Sequence, residues 1–241
     1  MNDDDIVIAK SNKTGKEYYI RIDYCDYDVS EWTQRTAPIG TCCLFKYNIG
    51  NEHGYSSPRE FLLDNVTYQY EQSGLDEDDL YSLVEDINDM SVEELEDELR
   101  SFPDVEVYNI YMYEHGGVSF SLSDADYPFN DPWDSGQIGW WVATKEEIEN
   151  EIGKHEDWAE RFHEHVKYAI QELNDICRGN VWRFTQAPKE EVDKNVTALD
   201  TDLPTEIKAC ATDSLGGFIG NCEDGVKEYC AEWDLTFIGV V

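Results

Sequence analysis

The chain carries 53 Asp and Glu residues against 18 Lys and Arg, a formal net charge of -35 at pH 7. Such a surface does not grip phosphates, because affinity for nucleic acid comes mainly from Lys and Arg neutralising the backbone. The charge does not imply disorder either. Hydrophobic residues make up 41% and aromatic residues 13% of 241 residues, enough for a sizeable core. That length suits one domain, or one domain with an appendage.

Three readings of the acidity compete: a surface adapted to high salt, a surface aimed at a basic partner, or a DNA-like face. A folded protein of this mass exposes about 11,000 Å². Even spreading would then place about one net charge per 300 Å². B-DNA, with a charge every 1.7 Å of axis on a cylinder of roughly 10 Å radius, carries about one per 100 Å². Mimicry therefore needs the carboxylates to be concentrated.

They are concentrated between Glu71 and Asp104, which holds fourteen carboxylates and a single basic residue, Arg100. The stretch reads as two amphipathic helices. Leu80, Leu83, Val84 and Ile87 recur at helical spacing, with Asp76, Glu77, Asp78 and Asp79 at the positive end of the helix dipole. Ser91 and Glu94 form a capping box ahead of Val92, Leu95 and Leu99. A partner face would comprise Asp76, Glu77, Asp78, Asp79, Glu85, Asp86, Glu93, Glu94, Glu96 and Asp97. The plain alternative is a solvated face.

Elsewhere the pattern predicts α+β: an antiparallel sheet flanked by helices, with the acidic helical pair inserted. Strands are expected near Tyr18–Tyr24, at Thr41–Tyr47, at Val105–Tyr113 and at Ile138–Ala143. His115-Gly116-Gly117 turns the third into Val118–Leu122 as a hairpin. Thr144 and Glu147 cap a helix ending at Gly153, and the longest helix runs from about Asp157 to Cys177. Its stripe is Trp158, Phe162, Val166, Ala169, Ile170 and Leu173. Residues 186–206 read as a linker, followed by strands at 218–219 and 235–241 around a short helix near Cys230. The expected division is a main domain over 1–185 and an extension over 186–241 packed on it.

No apolar run approaches the roughly 20 residues of a membrane span, and MNDDDIVIAK is acidic, unlike a signal peptide. The seven cysteines are odd in number and not framework-spaced, which points to a reducing cytoplasm.

Chemistry is sparse. The stretch from Asp124 to Gly136 gathers Asp124, Asp126, Asp131 and Asp134 around two prolines and Trp133. Such carboxylates can hold Ca²⁺ or Mg²⁺, but the spacing is not that of an EF-hand, and Asp-Pro and Asp-Ser-Gly also form plain turns. Gly136 and Gly139 would allow close backbone approach. Cys42 and Cys43 point to opposite faces of a strand, and in a chain short of cations both read as buried thiols. Cys210, Cys222 and Cys230 lack zinc-ligand spacing. His163 and His165 stand at i and i+2, about 200° apart on a helix, not at the i and i+4 of a metalloprotease. There His165 is expected half-buried and His163 exposed. No P-loop, dinucleotide fingerprint or nucleophile elbow is present. No metal or cofactor is expected.

Three blocks, GTCCLFKYNIGNEHGY (40–55), IYMYEHGGVSFSLS (110–123) and PWDSGQIGWWVATKEEI (132–148), resemble an uncharacterised family of phage, plasmid and integrative-element proteins. The resemblance covers roughly residues 20–180, and the Pro-Trp-Asp-Ser-Gly-Gln box is its specific part. Asp131 stands where relatives tend to carry Cys, and QRTAPIG where they have a Trp-Asp-Asn turn. The first departure argues against an essential thiol there. The resemblance implies a mobile-element accessory protein, with His115, Trp133, Asp134, Ser135, Gly136 and Gln137 as shared surface or scaffold.

The leading expectation is an acidic interaction protein of a virus or mobile element in the host cytoplasm. Its finer form is a DNA mimic that blocks a basic, nucleic-acid-binding defence protein. The first alternative is a hydrolase or metal-dependent enzyme using the 124–137 loop, with Asp134 as base or ligand and His115 beside it. The second is a halophilic viral scaffold whose charge serves solvation alone. Trp133, Asp134, Ser135 and Gln137 join the acidic residues as candidate contacts.

Overall fold

The computed structural model describes residues 1–241 except 2, 28, 30, 31, 33–38, 47–52, 124–127 and 130–132, and except the side chains of 77–80. Among the described residues there are nine strands and eight helices. In chain order they begin with β1 (Ile6–Ser11), β2 (Glu17–Tyr24), β3 (Thr41–Leu44), α1 (Pro58–Gln72), α2 (Glu77–Ile87) and α3 (Val92–Ser101). Then come β4 (Val105–Glu114), β5 (Val118–Ser123), β6 (Ser135–Thr144), α4 (Lys145–Ile152), α5 (Trp158–Cys177) and β7 (Val181–Pro188). The chain finishes with α6 (Lys189–Leu199), α7 (Leu203–Ala209), β8 (Asp213–Ile219), α8 (Cys222–Glu232) and β9 (Leu235–Val240). The class is α+β, with two antiparallel sheets where the sequence suggested one. No helix among the described residues is long and apolar enough to cross a membrane.

Two compact units share these elements: Asp28–Leu173, and Met1–Tyr27 with Asn174–Val241. In the first, the sheet order is β3-β6-β4-β5. β4 and β6 are the interior strands: β6 is buried without a break from Ile138 to Ala143, whereas β4, expected to be apolar on both faces, has five of its ten residues buried in a nearly alternating pattern. Cys43, Val107, Trp140 and Val142 on one face meet Phe61, Leu62 and Val66 of α1, Ile87 of α2, and Leu95 and Leu99 of α3. The opposite face carries Trp141, whose ring stands edge-on to Phe162 of α5 and whose indole donates to Ile39 O. Gly139 is required where β6 meets β3, because an added Cβ would lie 2.0 Å from the Cys43 carbonyl oxygen. Gly136, expected to serve the same purpose, faces open space.

Local signals set the helix ends. Thr144 Oγ1 accepts from Glu147 N while the Glu147 carboxylate accepts from Thr144 N, and Gly153 closes α4 at φ +84. Ser91 and Glu94 form the same reciprocal pair at α3. α1 has no counterpart in the sequence reading, although Ser57 as N-cap, Pro58 at N1 and Glu60 announce it.

In the second unit the order is β8-β7-β2-β1-β9, so strands from both ends of the chain lie side by side. Val7, Ala9, Ile20, Ile22 and Phe184 meet Val226, Tyr229 and Cys230 of α8 on one face. Ile6, Tyr19 and Ala187 meet Val192 of α6 and Ile207 of α7 on the other. A sheet covered on both faces explains the unbroken apolar run IVIA in β1, which alternation rules pass over. Residues 186–206 are not a linker. They complete β7, form α6 and enter α7, whose N-cap Asp202 accepts from Thr205 N. Residues 185 and 186, where the sequence division falls, are neighbours within β7.

Candidate functional sites

Two surfaces in Asp28–Leu173 hold the residues singled out by sequence. The first is the acidic pair α2 and α3. Burying Leu95 and Leu99 stabilises the α3 packing by about 2 kcal/mol each and turns the remaining positions outward. Asp76, Glu85, Asp86, Asp89, Glu93 and Asp97 are exposed. The side chains of Glu77, Asp78 and Asp79 lie outside the described residues. Glu94 is committed to the capping box, which holds its carboxyl below the usual range.

Glu96 corrects the sequence reading. It does not belong to a partner face but reaches inward, half-buried, and accepts from Trp140 Nε1 at 2.8 Å, Asn109 Nδ2 at 2.8 Å and Arg100 Nη2 at 3.1 Å. Burial by itself would raise the Glu96 carboxyl; these three donors outweigh burial and hold it below the ordinary range. Arg100 also donates to Val107 O at 2.6 Å and Asn109 Oδ1 at 2.7 Å. The single cation of the 71–104 stretch is therefore spent on the sheet, and among the described residues Glu85, Asp86, Asp89, Glu93 and Asp97 have no ion-pair partner. A second cation, Arg59 of α1, donates to Asn88 O just past the end of α2, where the dipole favours positive charge.

The second surface is the rim where the β4–β5 turn meets the start of β6. Tyr113 pairs with Ser135, Met112 with Gly136 and Tyr111 with Gln137, and Glu114 N donates to Asp134 O at 2.8 Å. That ladder brings together two residues 19 apart in sequence. His115 Nδ1 lies 2.7 Å from Asp134 Oδ2. The His115 side chain is 71% exposed, so water screens the pair. Trp133 is 92% exposed beside it. A cleft of about 330 Å³ is lined here by Lys46, Glu114, Trp133, Asp134, Ser135 and Gln137. A carboxylate that holds Nδ1 leaves Nε2 as the nitrogen able to take a proton, the arrangement of an oriented base. Asp124, Asp126 and Asp131 lie outside the described residues.

The other candidates are internal. Cys42 and Cys43 are buried, and burial pushes the Cys43 thiol up to about 12 and Cys42 higher, the reverse of nucleophile activation. His53 is engaged at both nitrogens: Nδ1 accepts from Tyr55 N, and Nε2 lies 3.0 Å from Leu44 O. His165 is half-buried as expected, beside Trp141 and Phe162, and burial lowers its pKa. His163, expected to be exposed, is half-buried with its ring 5.3 Å from that of Tyr108. The three cysteines weighed for zinc do not meet as ligands: Cys210 packs beside Val192 and Ile207, while Cys222 and Cys230 stand on the buried face of α8, in the other core cluster.

Sequence reasoning passed over one cluster in the other unit. Asp3, Asp4 and Asp23 place carboxylate oxygens within 4.8 Å of one another. Arg21 Nη2 sits among them, 2.7 Å from Asp4 and 2.8 Å from Asp23, and Asp3 accepts from Tyr24 N. Arg21 offsets one of the three negative charges. Comparison of the chain with family models, curated proteins and solved structures finds no match.

Proposed function

We propose that this is an acidic interaction protein of a virus or mobile element, whose α2–α3 face engages a basic, nucleic-acid-gripping surface on a host partner protein in the host cytoplasm. One observation carries the reading: exposed carboxylates stand in order on two packed helices while Arg100, the only basic residue of that stretch, points into the sheet. Rigidly held like charges speed association with a complementary partner and make it salt-sensitive. The finer proposal is DNA mimicry against a defence protein, in which the partner releases DNA as it binds this chain.

The test replaces Glu85, Asp86, Glu93 and Asp97 together by Lys and measures binding to a panel of basic DNA-binding host proteins, with DNA as competitor. Binding that disappears in the variant and weakens from 0.1 to 1 M KCl is expected, since screening is nearly complete when the Debye length falls to about 3 Å. Undiminished binding by the variant refutes the reading. Thermal unfolding from about 0.1 to 3 M KCl separates it from the salt-adapted scaffold. A fold that is stable at 0.1 M KCl supports a partner face, and one that collapses below molar salt assigns the charge to solvation.

The 2.7 Å contact between His115 and Asp134 favours a second reading, a hydrolase with His115 as base. It requires hydrolytic turnover by the purified protein that His115→Ala and Asp134→Ala both remove while leaving the unfolding midpoint in place.

A further inference from the structure

In Met1–Tyr27 with Asn174–Val241, a cavity of about 420 Å³ opens on the sheet face shared with α7. Its wall includes Arg183 of β7, Lys208 of α7, Thr185, Ser214 and Asp23. Both cations are exposed, and among the described residues neither forms an ion pair, in a chain with almost three carboxylates for every cation. Among the described residues of the wall, Asp23 is the one carboxylate, and it is paired with Arg21 at 2.8 Å. Arg183 instead donates to Cys25 Sγ at 3.7 Å.

The hydroxyl pair adds direction. Thr185 is 6% exposed, and its Oγ1 lies 3.0 Å from Ser214 Oγ. Two hydroxyls sharing one hydrogen bond use one of their two protons, so the other is available to an acceptor in the cavity. The backbone keeps this wall open. The register between β7 and β8 shifts after Trp182, so that Arg183 pairs with Gly216 and Trp182 with Phe218. A Cβ at Gly216 would stand 3.0 Å from Cys25 Sγ and 3.2 Å from Arg183 Nε, crowding the guanidinium. A glycine beside a bulge gives Arg183 its room.

We propose that this cavity is an oxyanion-binding site, in which Arg183 and Lys208 supply the charge and the Thr185–Ser214 pair a fixed hydroxyl donor to a phosphate or carboxylate group. A guanidinium offers that group a planar fork, an ammonium a mobile point charge, and charge-assisted hydrogen bonds are the stronger kind. The remainder of the chain repels anions, so the site selects a small ligand of one or two charges over a polyanion.

The test is a titration of the full chain, observed by amide chemical shifts, with inorganic phosphate, phenyl phosphate and acetate, each against sodium chloride of matched ionic strength. Expected are saturable shifts confined to β7, β8 and α7, at least tenfold weaker binding in Lys208→Gln, and a similar loss in Arg183→Gln. Tighter binding of phenyl phosphate than of inorganic phosphate would identify the oxyanion as a group on a larger molecule, and equal binding would identify the free anion. Lys208 is exposed on a helix, so its variant retains the fold even where Arg183→Gln does not. Shifts no larger than those from chloride, or Lys208→Gln binding like the parent, would overturn the site.

Discussion

The strands β4, β5 and β6 of Asp28–Leu173 follow one another along the chain, whereas the other unit's sheet sets β1 and β2 between β7 and β9 from the far end. The first sheet is tied across its middle by polar and aromatic groups: Glu96 with Trp140, Asn109 and Arg100, and the Trp141 indole with Ile39 O. The second unit buries apolar residues on both faces of its sheet, and its polar ties include Tyr229 to Asp213 at 2.6 Å, the Trp182 indole to Gly220 O at 2.8 Å and Thr201 to the buried Glu206 at 2.9 Å. In the first unit one carboxylate gathers donors from a helix and two strands. In the second each of these three ties is a single bond beside an apolar core. The difference predicts how each unit fails.

The largest effect is expected at the strand glycines. Gly139→Ala forces a methyl into the β3 backbone and should cost about 3 kcal/mol, read as a shift in the urea midpoint. Gly239→Ala in β9 meets nothing within 4 Å and serves as the counterpart, with a change within about 0.5 kcal/mol. Equal costs at the two would break the contrast between an interior and an edge strand.

Next comes Glu96. Glu96→Gln removes the charge that three donors converge on and should cost about 2 kcal/mol at pH 7. Because the folded carboxyl is held below its ordinary range, its contribution is complete above the unfolded value of about 4.3. It is lost as pH falls from there through the folded value. Urea unfolding at pH 3 to 7 should therefore show a smaller decline toward acid in the variant than in the parent. Parallel declines would remove Glu96 from the account.

Tyr229→Phe should cost about 1 kcal/mol, by leaving Asp213 without its donor. A cost as large as that of Glu96→Gln would mean that one single-bond tie in the second unit matters as much as the three-donor network of the first, which would narrow the contrast.

Much of the acidic region was legible because its signals are local. The Ser91–Glu94 and Thr144–Glu147 boxes close within three residues, and the leucine spacing of α3 states which side is buried. Glu96 was misread because a run of carboxylates announces charge and not what faces it; Trp140 lies 44 residues away. His115 and Asp134 were each named on local grounds, but their contact follows from the β4–β6 register. In the second unit, Pro188 opening α6 and Asp202 capping α7 were available as start signals. The buried Val192 and Ile207 that give those helices a purpose meet Ile6 and Tyr19, far away along the chain.

The sequence by itself determined the α+β class, the capped helices, the hairpin at His115 and the excess of negative charge, because caps, turns and periodicity act over a few residues. The tertiary structure alone decided that the two chain ends share a sheet, that Glu96 turns inward and that Arg183 and Lys208 line one cavity. These depend on strand registers between distant segments, which are selected by the joint burial of many side chains and leave no signature in any one stretch of sequence.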